Sequence, residues 1–154
     1  MERSRRINNH WVQIIPIHNE VQFKLALSIR RTVFIEEQQV PEAIEMDEHD
    51  SLSDPICTHF LLVVDGLPAG TARTLDKGDR IKIQRFAILP SYRKGGYGSV
   101  LLQSIEEHHA SHHYVLSAQE HAIGFYERNG YVICGETFLE ANIRHNDMEK
   151  VKTA

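Results

Sequence analysis

The chain has 154 residues, of which 42% are hydrophobic and 25% charged, a composition typical of a globular protein with one sizeable core. Its net charge of -4 argues against a nucleic-acid partner, which usually requires a basic surface. The two cysteines, Cys57 and Cys134, belong to no CxxC or Cys/His ligand pattern, so we expect no metal site. The longest apolar run, residues 60–64, is too short for a membrane helix, and we expect a cytoplasmic protein without a signal peptide.

We expect a single domain over residues 1–154, in which residues 1–9 form a poorly ordered polar lead-in. A first strand is predicted over residues 11–15, which are rich in β-forming side chains. An amphipathic helix follows over about residues 20–37, because apolar residues recur there every three or four positions.

Residues 36–50 form an acidic stretch with seven carboxylates and no lysine or arginine. One interpretation is an exposed acidic loop that contains a short helix. The other is an acidic rim that attracts a cationic substrate. Arg30 and Arg31 lie in the preceding helix, either as a solvated edge or, for one of them, as the partner of an acid across the fold.

Three strands are predicted next, over residues 59–64, 67–75 and 80–89, and an Asp-Gly turn joins the first two. In the last of these, the fourth strand of the chain, the apolar residues change from odd to even positions near Gln84 and Arg85. A strand keeps its alternation unless a residue is inserted, so we predict a β-bulge there.

The second half of the chain alternates between helices and strands. Helices are predicted over about residues 97–112 and 119–129, and strands over residues 114–117, 131–138 and 143–151. A strand, a helix and a further strand in succession imply a parallel pair with a right-handed crossover. We therefore expect an α+β fold, with a central twisted mixed sheet of about six or seven strands flanked by helices.

A basic, glycine-rich turn joins the bulged strand to the next helix, with the sequence Tyr92-Arg93-Lys94-Gly95-Gly96-Tyr97-Gly98. The motifs GxGxxG and GxxxxGK[ST] are absent, which excludes a standard dinucleotide fingerprint or a Walker A loop. Glycines let the backbone approach a ligand closely, and the first N–H groups of the helix have no intrahelical partner. We therefore expect this turn to bind a phosphate group.

Together with a later segment, the strand and turn resemble the GNAT superfamily of N-acetyltransferases. The turn is similar to the family's Arg/Gln-x-x-Gly-x-Gly/Ala loop, which binds the pyrophosphate of coenzyme A through backbone N–H groups. Residues 118–131, AQEHAIGFYERNGY, are similar to the family's A-x-x-F-Y-x-x-x-G-[FY] signature. The run RTVFIEEQQVPE, with Glu140 and His145 near the C-terminus, further resembles an ElaA/YjcF-like bacterial subgroup.

The resemblance implies a GNAT acyl-CoA N-acyltransferase fold and acetyl-CoA as co-substrate, with no metal. The acetyl group would pass to a primary amine of a small cationic molecule or a lysine-bearing peptide, by direct attack through a tetrahedral intermediate. Neither nucleic acid nor membrane is expected as a partner, and the protein is expected to be a monomer or a homodimer. The residues implied to bind the cofactor are Phe86, Ala87, Ile88, Arg93, Lys94, Gly95, Gly96, Tyr97, Gly98, Ser99, Gln119, Ala122 and Phe125.

Three residues are the main candidates for catalysis. Tyr126 is implied to protonate the departing thiolate, because a phenol keeps its proton at pH 7. His145 and Glu140 are candidate general bases, and an unperturbed histidine has the pKa better suited to that task. Glu36 and Glu37 are further candidates for the base.

A backbone N–H near Ile88, just beyond the predicted bulge, is expected to donate to the oxyanion, because a bulge frees N–H groups from the strand ladder. Two alternative functions stay open. One is transfer of a longer acyl chain, as in acyl-homoserine-lactone synthases, which would need a larger apolar pocket. The other is a non-catalytic acyl-CoA-binding or sensor domain, which would keep Arg93 to Ser99 but would not need Tyr126.

Overall fold

The computed structural model describes residues 3–153, and within them the strands form one nine-stranded sheet. The strands are β1 Arg3–Ile7, β2 His10–Pro16, β3 Cys57–Val64, β4 Leu67–Asp76, β5 Ile81–Ile88, β6 His113–Gln119, β7 Val132–Ile133, β8 Phe138–Glu140 and β9 Ile143–Val151. The helices are α1 Glu20–Arg30, a π-helical segment Arg31–Glu37, α2 Glu42–Glu45, a 3-10 turn Pro90–Tyr92, α3 Tyr97–His109, a 3-10 turn Glu120–Ala122 and α4 Ile123–Arg128. None of these helices is long and apolar enough to cross a membrane, as far as residues 3–153 are concerned.

The sheet is mixed and mostly antiparallel, with the order β1-β2-β3-β4-β5-β6-β9-β7 and with β8 paired to another part of β9. Only β5 and β6 run parallel among the strand pairs that the structure describes, and α3 forms the connection between them. The α+β class, the mixed sheet and the parallel pair are therefore as the sequence predicted.

Two features raise the strand number above the predicted six or seven. Residues 3–7, expected within a poorly ordered lead-in, form β1 and pair with β2 over their whole length. The single strand predicted over residues 131–138 is divided into β7 and β8, which pair with different parts of β9. Polar side chains hide β1 from hydrophobic patterning, because its order comes from backbone pairing rather than from an apolar face.

The sheet separates two apolar cores. On the side that we call the α3 face, Leu62 and Leu116 of the sheet belong to one buried cluster with Leu101 and Ile105 of α3. On the opposite side, the α1 face, a second cluster joins residues of α1 to other sheet residues, including Phe23, Ala26, Leu61 and Val63. Residues next to one another along a strand therefore serve different cores.

The predicted β-bulge is present in β5. Arg85 and Phe86 together lie opposite the single residue Ala72 of β4, where the register shifts. Ile83 before the bulge and Phe86 after it both pack on the α3 face, although they are three positions apart. The change of phase in the apolar pattern thus has the cause that the sequence indicated.

The first helix ends where it was predicted to end but changes geometry before that point. Asn19 caps its start by accepting a hydrogen bond from the N–H of Gln22. From Arg31 the helix is π-helical, and the N–H of Gln38 donates to the carbonyl of Val33, five residues back, at 3.1 Å. Hydrophobic periodicity does not distinguish this wider turn from an α-helical one, and π-turns occur often at functional sites.

Candidate active site

The candidate site lies where β5 and β6 separate. Their parallel ladder includes only Ile81–Ile83 of β5 and Tyr114–Leu116 of β6. The bulge bends β5 immediately after this ladder, so the C-terminal halves of the two strands leave a gap between them. The glycine-rich turn follows β5, and α4 follows β6, so both elements border this gap.

Backbone groups of β5 beyond the bulge point into this gap. The N–H of Leu89 donates to the carbonyl of Ala69 in β4 at 2.9 Å. Because successive amides of a strand point to opposite sides, the N–H and C=O of Ile88 point away from β4. The Ile88 carbonyl accepts a hydrogen bond from Arg93 Nε at 2.9 Å on that open side. The Ile88 N–H is therefore directed toward the gap.

The glycine-rich turn presents a set of backbone donors at the start of α3. Gly95 and Gly96 have φ of 105° and 83°, a region that favours glycine. No side chain in the described chain caps the helix, and Val100 donates to the carbonyl of Gly96 at 3.2 Å. The N–H groups of residues 97–99 precede this first intrahelical bond and stay available for an anion.

α4 packs closely against the first turn of α3. A Cβ placed on Gly98 would lie 3.1 Å from the Phe125 ring and 3.8 Å from Ile88, so only glycine allows this approach. Asn129 Nδ2 donates to Ser99 Oγ at 3.2 Å and to the Phe125 carbonyl at 2.9 Å. Asn129 was not predicted as a site residue, and it ties the two helices together at the turn.

Tyr126 of α4 is buried on the α3 face, with 7% of its surface exposed. Its ring centroid lies 6.0 Å from that of Phe86 and 5.1 Å from that of Phe125. Its hydroxyl makes no hydrogen bond to any residue in the part of the chain that the structure describes. Burial raises the pKa of Tyr126 well above its usual value. The phenol therefore keeps its proton and is an unused donor beside the gap.

Strands β6 and β9 place His145 on the α1 face, opposite to Tyr126. Gln119 and His145 are directly paired in β6 and β9, so their side chains share one face. Leu116 and Ala118 of β6 point to the α3 face, which places Gln119 and His145 on the α1 face by alternation. Phe138 of β8 also pairs with His145, and the two rings stack with centroids 5.7 Å apart.

The hydrogen bonding of His145 defines its free nitrogen. Its ring is buried, and Nδ1 lies 2.7 Å from the carbonyl oxygen of Ile143. A carbonyl only accepts hydrogen bonds, so Nδ1 carries the proton and Nε2 of the neutral ring has a lone pair. Glu140 Oε2 lies 3.8 Å from Nε2, and the Glu140 side chain is exposed. The pair can thus accept a proton and stabilise the resulting imidazolium.

Two contacts that the sequence analysis did not predict link the end of the π-helical segment to both borders of the gap. The side-chain amides of Gln38 and Gln119 exchange hydrogen bonds at 3.0 and 2.7 Å. Glu37 accepts hydrogen bonds from both terminal nitrogens of Arg93, at 2.7 and 2.5 Å. These bonds lower the pKa of Glu37, which makes it a weak base. Gln38 and Gln119 are 81 residues apart, so no local pattern could reveal their contact.

Buried arginines neutralise the inner part of the acidic stretch. Arg30 is 2% exposed and donates to Glu45 Oε1 at 2.6 Å and to Asp50 Oδ1 at 2.5 Å. Arg73 is 1% exposed and binds both carboxylate oxygens of Asp47 at 2.6 Å. The interpretation in which one helix arginine pairs with an acid across the fold is therefore correct for Arg30.

The acidic stretch is consequently not an open rim of negative charge. Five of its seven carboxylates pair with arginines among the described residues, namely Glu37, Glu42, Glu45, Asp47 and Asp50. Burial raises the pKa of Asp50, but hydrogen bonds from Arg30 and from the backbone outweigh it, and the net pKa is lowered. Glu36 is outside these pairs and is exposed.

The structure gathers most of the sequence-predicted residues around the gap, with four qualifications. Ala87 packs in the core of the α1 face. Tyr97 is buried, so only its backbone faces a ligand. Ala122 packs against the core of the α3 face, and Gln119 bonds across the α1 face. The others, at the end of β5, in the turn or on α4, are Phe86, Ile88, Arg93, Lys94, Gly95, Gly96, Gly98, Ser99 and Phe125.

Comparison with known proteins identifies the class to which this site belongs. A family model described as an acetyltransferase (GNAT) domain matches residues 20–152. The chain is 41% identical to the uncharacterised protein YyaT of Bacillus subtilis, covering 87% of this chain and 92% of YyaT. It is 36% identical to the uncharacterised N-acetyltransferase YjcF of the same organism, covering 86% and 94%.

Solved structures agree with this assignment. An N-acetyltransferase from Lactobacillus plantarum superposes with a TM-score of 0.82 at 26% identity, covering 91% of this chain and 97% of that one. An aminoglycoside 6'-N-acetyltransferase crystallised with coenzyme A superposes with a TM-score of 0.73 at 18% identity, covering 90% and 96%. The chain therefore belongs to the GNAT acetyltransferase family and has the acyl-CoA N-acyltransferase fold that the resemblance implied.

Proposed function

We propose that the protein is an acetyl-CoA-dependent N-acetyltransferase whose acceptor is a primary amine. One observation supports this most directly. The gap between β5 and β6 has a turn rich in free N–H groups and an unpaired phenol on the α3 face, and a histidine with a free nitrogen on the α1 face. A thioester placed in the gap would meet the amine from one face and release its thiol toward the other.

Coenzyme A fits the donors of the turn. Its pyrophosphate would accept hydrogen bonds from the N–H groups of residues 97–99, where the helix dipole also favours negative charge. The positive φ of Gly95 and Gly96 allows the backbone to curve around an anion. The aminoglycoside acetyltransferase of the same fold was crystallised with coenzyme A, which supports this assignment.

Proton transfer on the α1 face would prepare the acceptor. A lysine-like amine has a pKa of about 10.4 and must lose a proton before it attacks a carbonyl. We assign this step to Nε2 of His145, the nitrogen not used in the bond to Ile143. Glu140 would stabilise the charged ring and, being exposed, pass the proton to solvent.

Bond making and breaking would follow in the gap. The amine nitrogen bonds to the thioester carbon, and the N–H of Ile88 donates to the oxygen that becomes negative. The carbon–sulfur bond then breaks, and the Tyr126 hydroxyl gives its proton to the departing thiolate. The nitrogen carries two hydrogens after the attack and releases one of them to solvent as the amide forms. The products are an amide and free coenzyme A, and the phenol regains its proton from solvent.

The charge of the acidic stretch also bears on the acceptor. Because most of its carboxylates already pair with arginine, we expect no selection for clustered positive charge. A single primary amine, on a small molecule or on a lysine side chain, is the expected acceptor. A polyamine should show no advantage in kcat/KM over a monoamine of similar size.

The first test measures acetyl-CoA binding by calorimetry, and thiol release with a polyamine, a monoamine and a lysine peptide. Gly96→Glu should weaken acetyl-CoA binding by more than about 100-fold, because it places a carboxylate at the anion site and strains a residue with φ of 83°. Gly78→Glu is the matched control, since Gly78 has φ of 90°, open space around it and a position in the remote β4–β5 turn.

Equal binding by the Gly96→Glu and Gly78→Glu proteins would remove the basis for the proposed binding site. Wild-type protein that binds acetyl-CoA tightly but releases no thiol with any amine would support the binding-domain alternative. Faster turnover with longer acyl-CoA donors than with acetyl-CoA would show that the protein transfers a longer acyl group and that acetyl-CoA is not the preferred donor.

A further inference from the structure

Arg85 adopts a backbone conformation that is unfavourable for its residue type. It lies at the bulge of β5 with φ of 53°, in the left-handed region. A residue with a side chain is disfavoured there, whereas glycine is not. Glycine would therefore adopt this backbone conformation with less strain. The presence of arginine at the bulge indicates that its side chain has a role there.

The side chain of Arg85 anchors the bulge to the acidic stretch. Its Nε donates to the carbonyl of Glu45 at 3.0 Å, and its Nη2 donates to the carbonyl of Ile44 at 3.4 Å. The same two nitrogens lie 3.5 Å from carboxylate oxygens of Glu45 and Asp47, respectively. Four contacts thus connect one residue of β5 to a segment that is about forty residues earlier in the chain.

The acidic stretch is itself held rigidly by the rest of the fold. Arg30 of α1 binds Glu45 and Asp50, and Arg73 of β4 binds Asp47 and Asp50. The segment is therefore fixed on two sides before Arg85 reaches it. Burial, together with the positive charges of Arg73 and Arg30, lowers the pKa of Arg85, so placing a third guanidinium here has an electrostatic cost. An arginine placed at this electrostatic cost is better explained by a role in function than by a contribution to stability.

We propose that Arg85 is a positioning residue for acetyl transfer, which fixes the bulge through the acidic stretch and so aims the Ile88 N–H at the reacting carbonyl. Ile88 lies three residues beyond Arg85. The direction of its N–H depends on the residue at which the regular alternation of strand amides resumes after the bulge. The acidic stretch thus serves the reaction through the geometry of β5. This inference rests on the proposed function and adds to it a residue that no local motif indicates.

The test compares Arg85→Gly with Arg31→Ala, two variants that each lose an arginine paired with the acidic stretch. Arg31 is exposed and binds Glu42 away from the bulge. In Arg85→Gly we expect kcat for acetyl transfer to fall about 10- to 100-fold, because glycine allows the positive φ of the bulge but does not anchor it to the acidic stretch. The dissociation constant for coenzyme A should change less than about threefold, since the described contacts of the Arg85 side chain are with Ile44, Glu45 and Asp47 and not with the turn after Pro90. Arg31→Ala should leave both quantities unchanged.

A second readout works on the free protein and does not depend on activity. The backbone amide resonances of Phe86 and Ile88 should shift in Arg85→Gly. Hydrogen exchange of the Leu89 amide, which donates to the Ala69 carbonyl just beyond the bulge, should become at least about tenfold faster. Arg85→Lys keeps the charge but not the two donors of the guanidinium, and it should show the same changes to a smaller extent. This variant provides the test if Arg85→Gly does not fold. Unchanged kcat together with unchanged amides in these variants would overturn the proposal.

The two readouts also separate this inference from the proposed function. If wild-type protein transferred no acetyl group, the proposed function would fail, but the amide measurements would still decide whether Arg85 orders the bulge. If acetyl transfer occurred and both Arg85→Gly and Arg31→Ala lost kcat equally, the role assigned to Arg85 would be wrong. Loss of kcat in Arg85→Gly alone, with shifted amides, would support it.

Discussion

On the α3 face the candidate site consists mainly of backbone groups, whereas on the α1 face it depends on charged side chains from distant parts of the chain. The turn before α3 offers N–H groups and glycines that follow one another in sequence. The other face is held by Arg30, Arg73 and Arg85, which come from α1, β4 and β5 and meet the same acidic segment. The two halves of one site are therefore stabilised in different ways.

This difference determines how each half responds to substitution. A backbone cradle has no side chain to lose, and it is damaged only when a Cβ or a charge is added. A buried ion network is damaged when one member is removed, because its partners are left as uncompensated buried charges. We therefore expect the α1 face to control stability and the α3 face to control ligand binding and the release of the thiol.

The largest effect on stability should come from Arg30→Met, which breaks the network on the α1 face. It would leave Glu45 and Asp50, which are 3% and 1% exposed at their side chains, without a main partner. Removal of one member of a buried pair costs about 3 to 5 kcal/mol of unfolding free energy. Urea denaturation measured by circular dichroism would give this value.

Arg31→Met is the neighbouring control and should cost less than about 1 kcal/mol, because the pair of Arg31 with Glu42 is exposed. Similar losses in the two variants would mean that burial does not distinguish these arginines. The contrast between a buried network and an exposed pair on the same face would then be abandoned.

A smaller effect, confined to catalysis, should come from Tyr126→Phe on the α3 face. Removal of the proposed acid should lower kcat about 100-fold while the affinity for acetyl-CoA stays nearly unchanged. The hydroxyl has no hydrogen-bond partner among residues 3–153, so its loss should leave stability equal or slightly higher. Steady-state kinetics and thermal denaturation of the same preparation would measure both.

Tyr131→Phe is the control for this variant, because it should lower stability and leave turnover unchanged. Its hydroxyl donates to the buried carboxylate of Glu106 at 2.8 Å, so its removal should lower stability by about 1 to 3 kcal/mol. Its turnover per folded molecule should equal that of the wild type. If Tyr126→Phe kept full turnover, the phenol would be a packing residue and the acid would have to be sought elsewhere.

The same division explains how much of the protein could be predicted from its sequence. The bulge, the glycine-rich turn and the helix that carries Tyr126 leave local signals, namely a change of phase, a run of glycines and a spaced aromatic pair. Each of these signals lies within about fifteen residues, and each was predicted. The family resemblance depends on the same short segments, which is why it indicated the fold and the proposed anion site together.

The parts that were not predicted depend on long-range partners or on backbone pairing. The contact between Gln38 and Gln119 and the ion pairs of Arg73 connect residues that no periodicity relates. Similarly, Ile7 is the one apolar residue of β1, so its pairing with β2 depends mainly on the backbone. Composition alone left an exposed acidic loop and a charged rim both open for residues 36–50, because a sequence count cannot show which arginines pair with these carboxylates.

The smallest effect should appear as a pH dependence of stability on the α1 face. Hydrogen bonds from Arg73 hold the pKa of Asp47 far below its usual value, and its interaction with that guanidinium is lost on protonation. An unfolded aspartate has a pKa of about 3.9. The unfolded state therefore binds more protons at low pH, so the stabilisation is complete above about pH 4 and is lost progressively as the pH falls below it.

Asp47→Asn should accordingly lower the unfolding free energy by about 1 to 2 kcal/mol at pH 7 and reduce the acid-induced loss between about pH 4 and 2. Asp79→Asn is the control, because Asp79 is exposed and contacts only the neighbouring Arg80 among its described ion pairs. Urea denaturation at several pH values would compare the slopes. An Asp47→Asn protein with the acid profile of the wild type would show that the Asp47–Arg73 contact is not responsible for the acid sensitivity. In that case the buried pair of Arg30 with Asp50 would be tested next, because the pKa of Asp50 is lowered as that of Asp47 is.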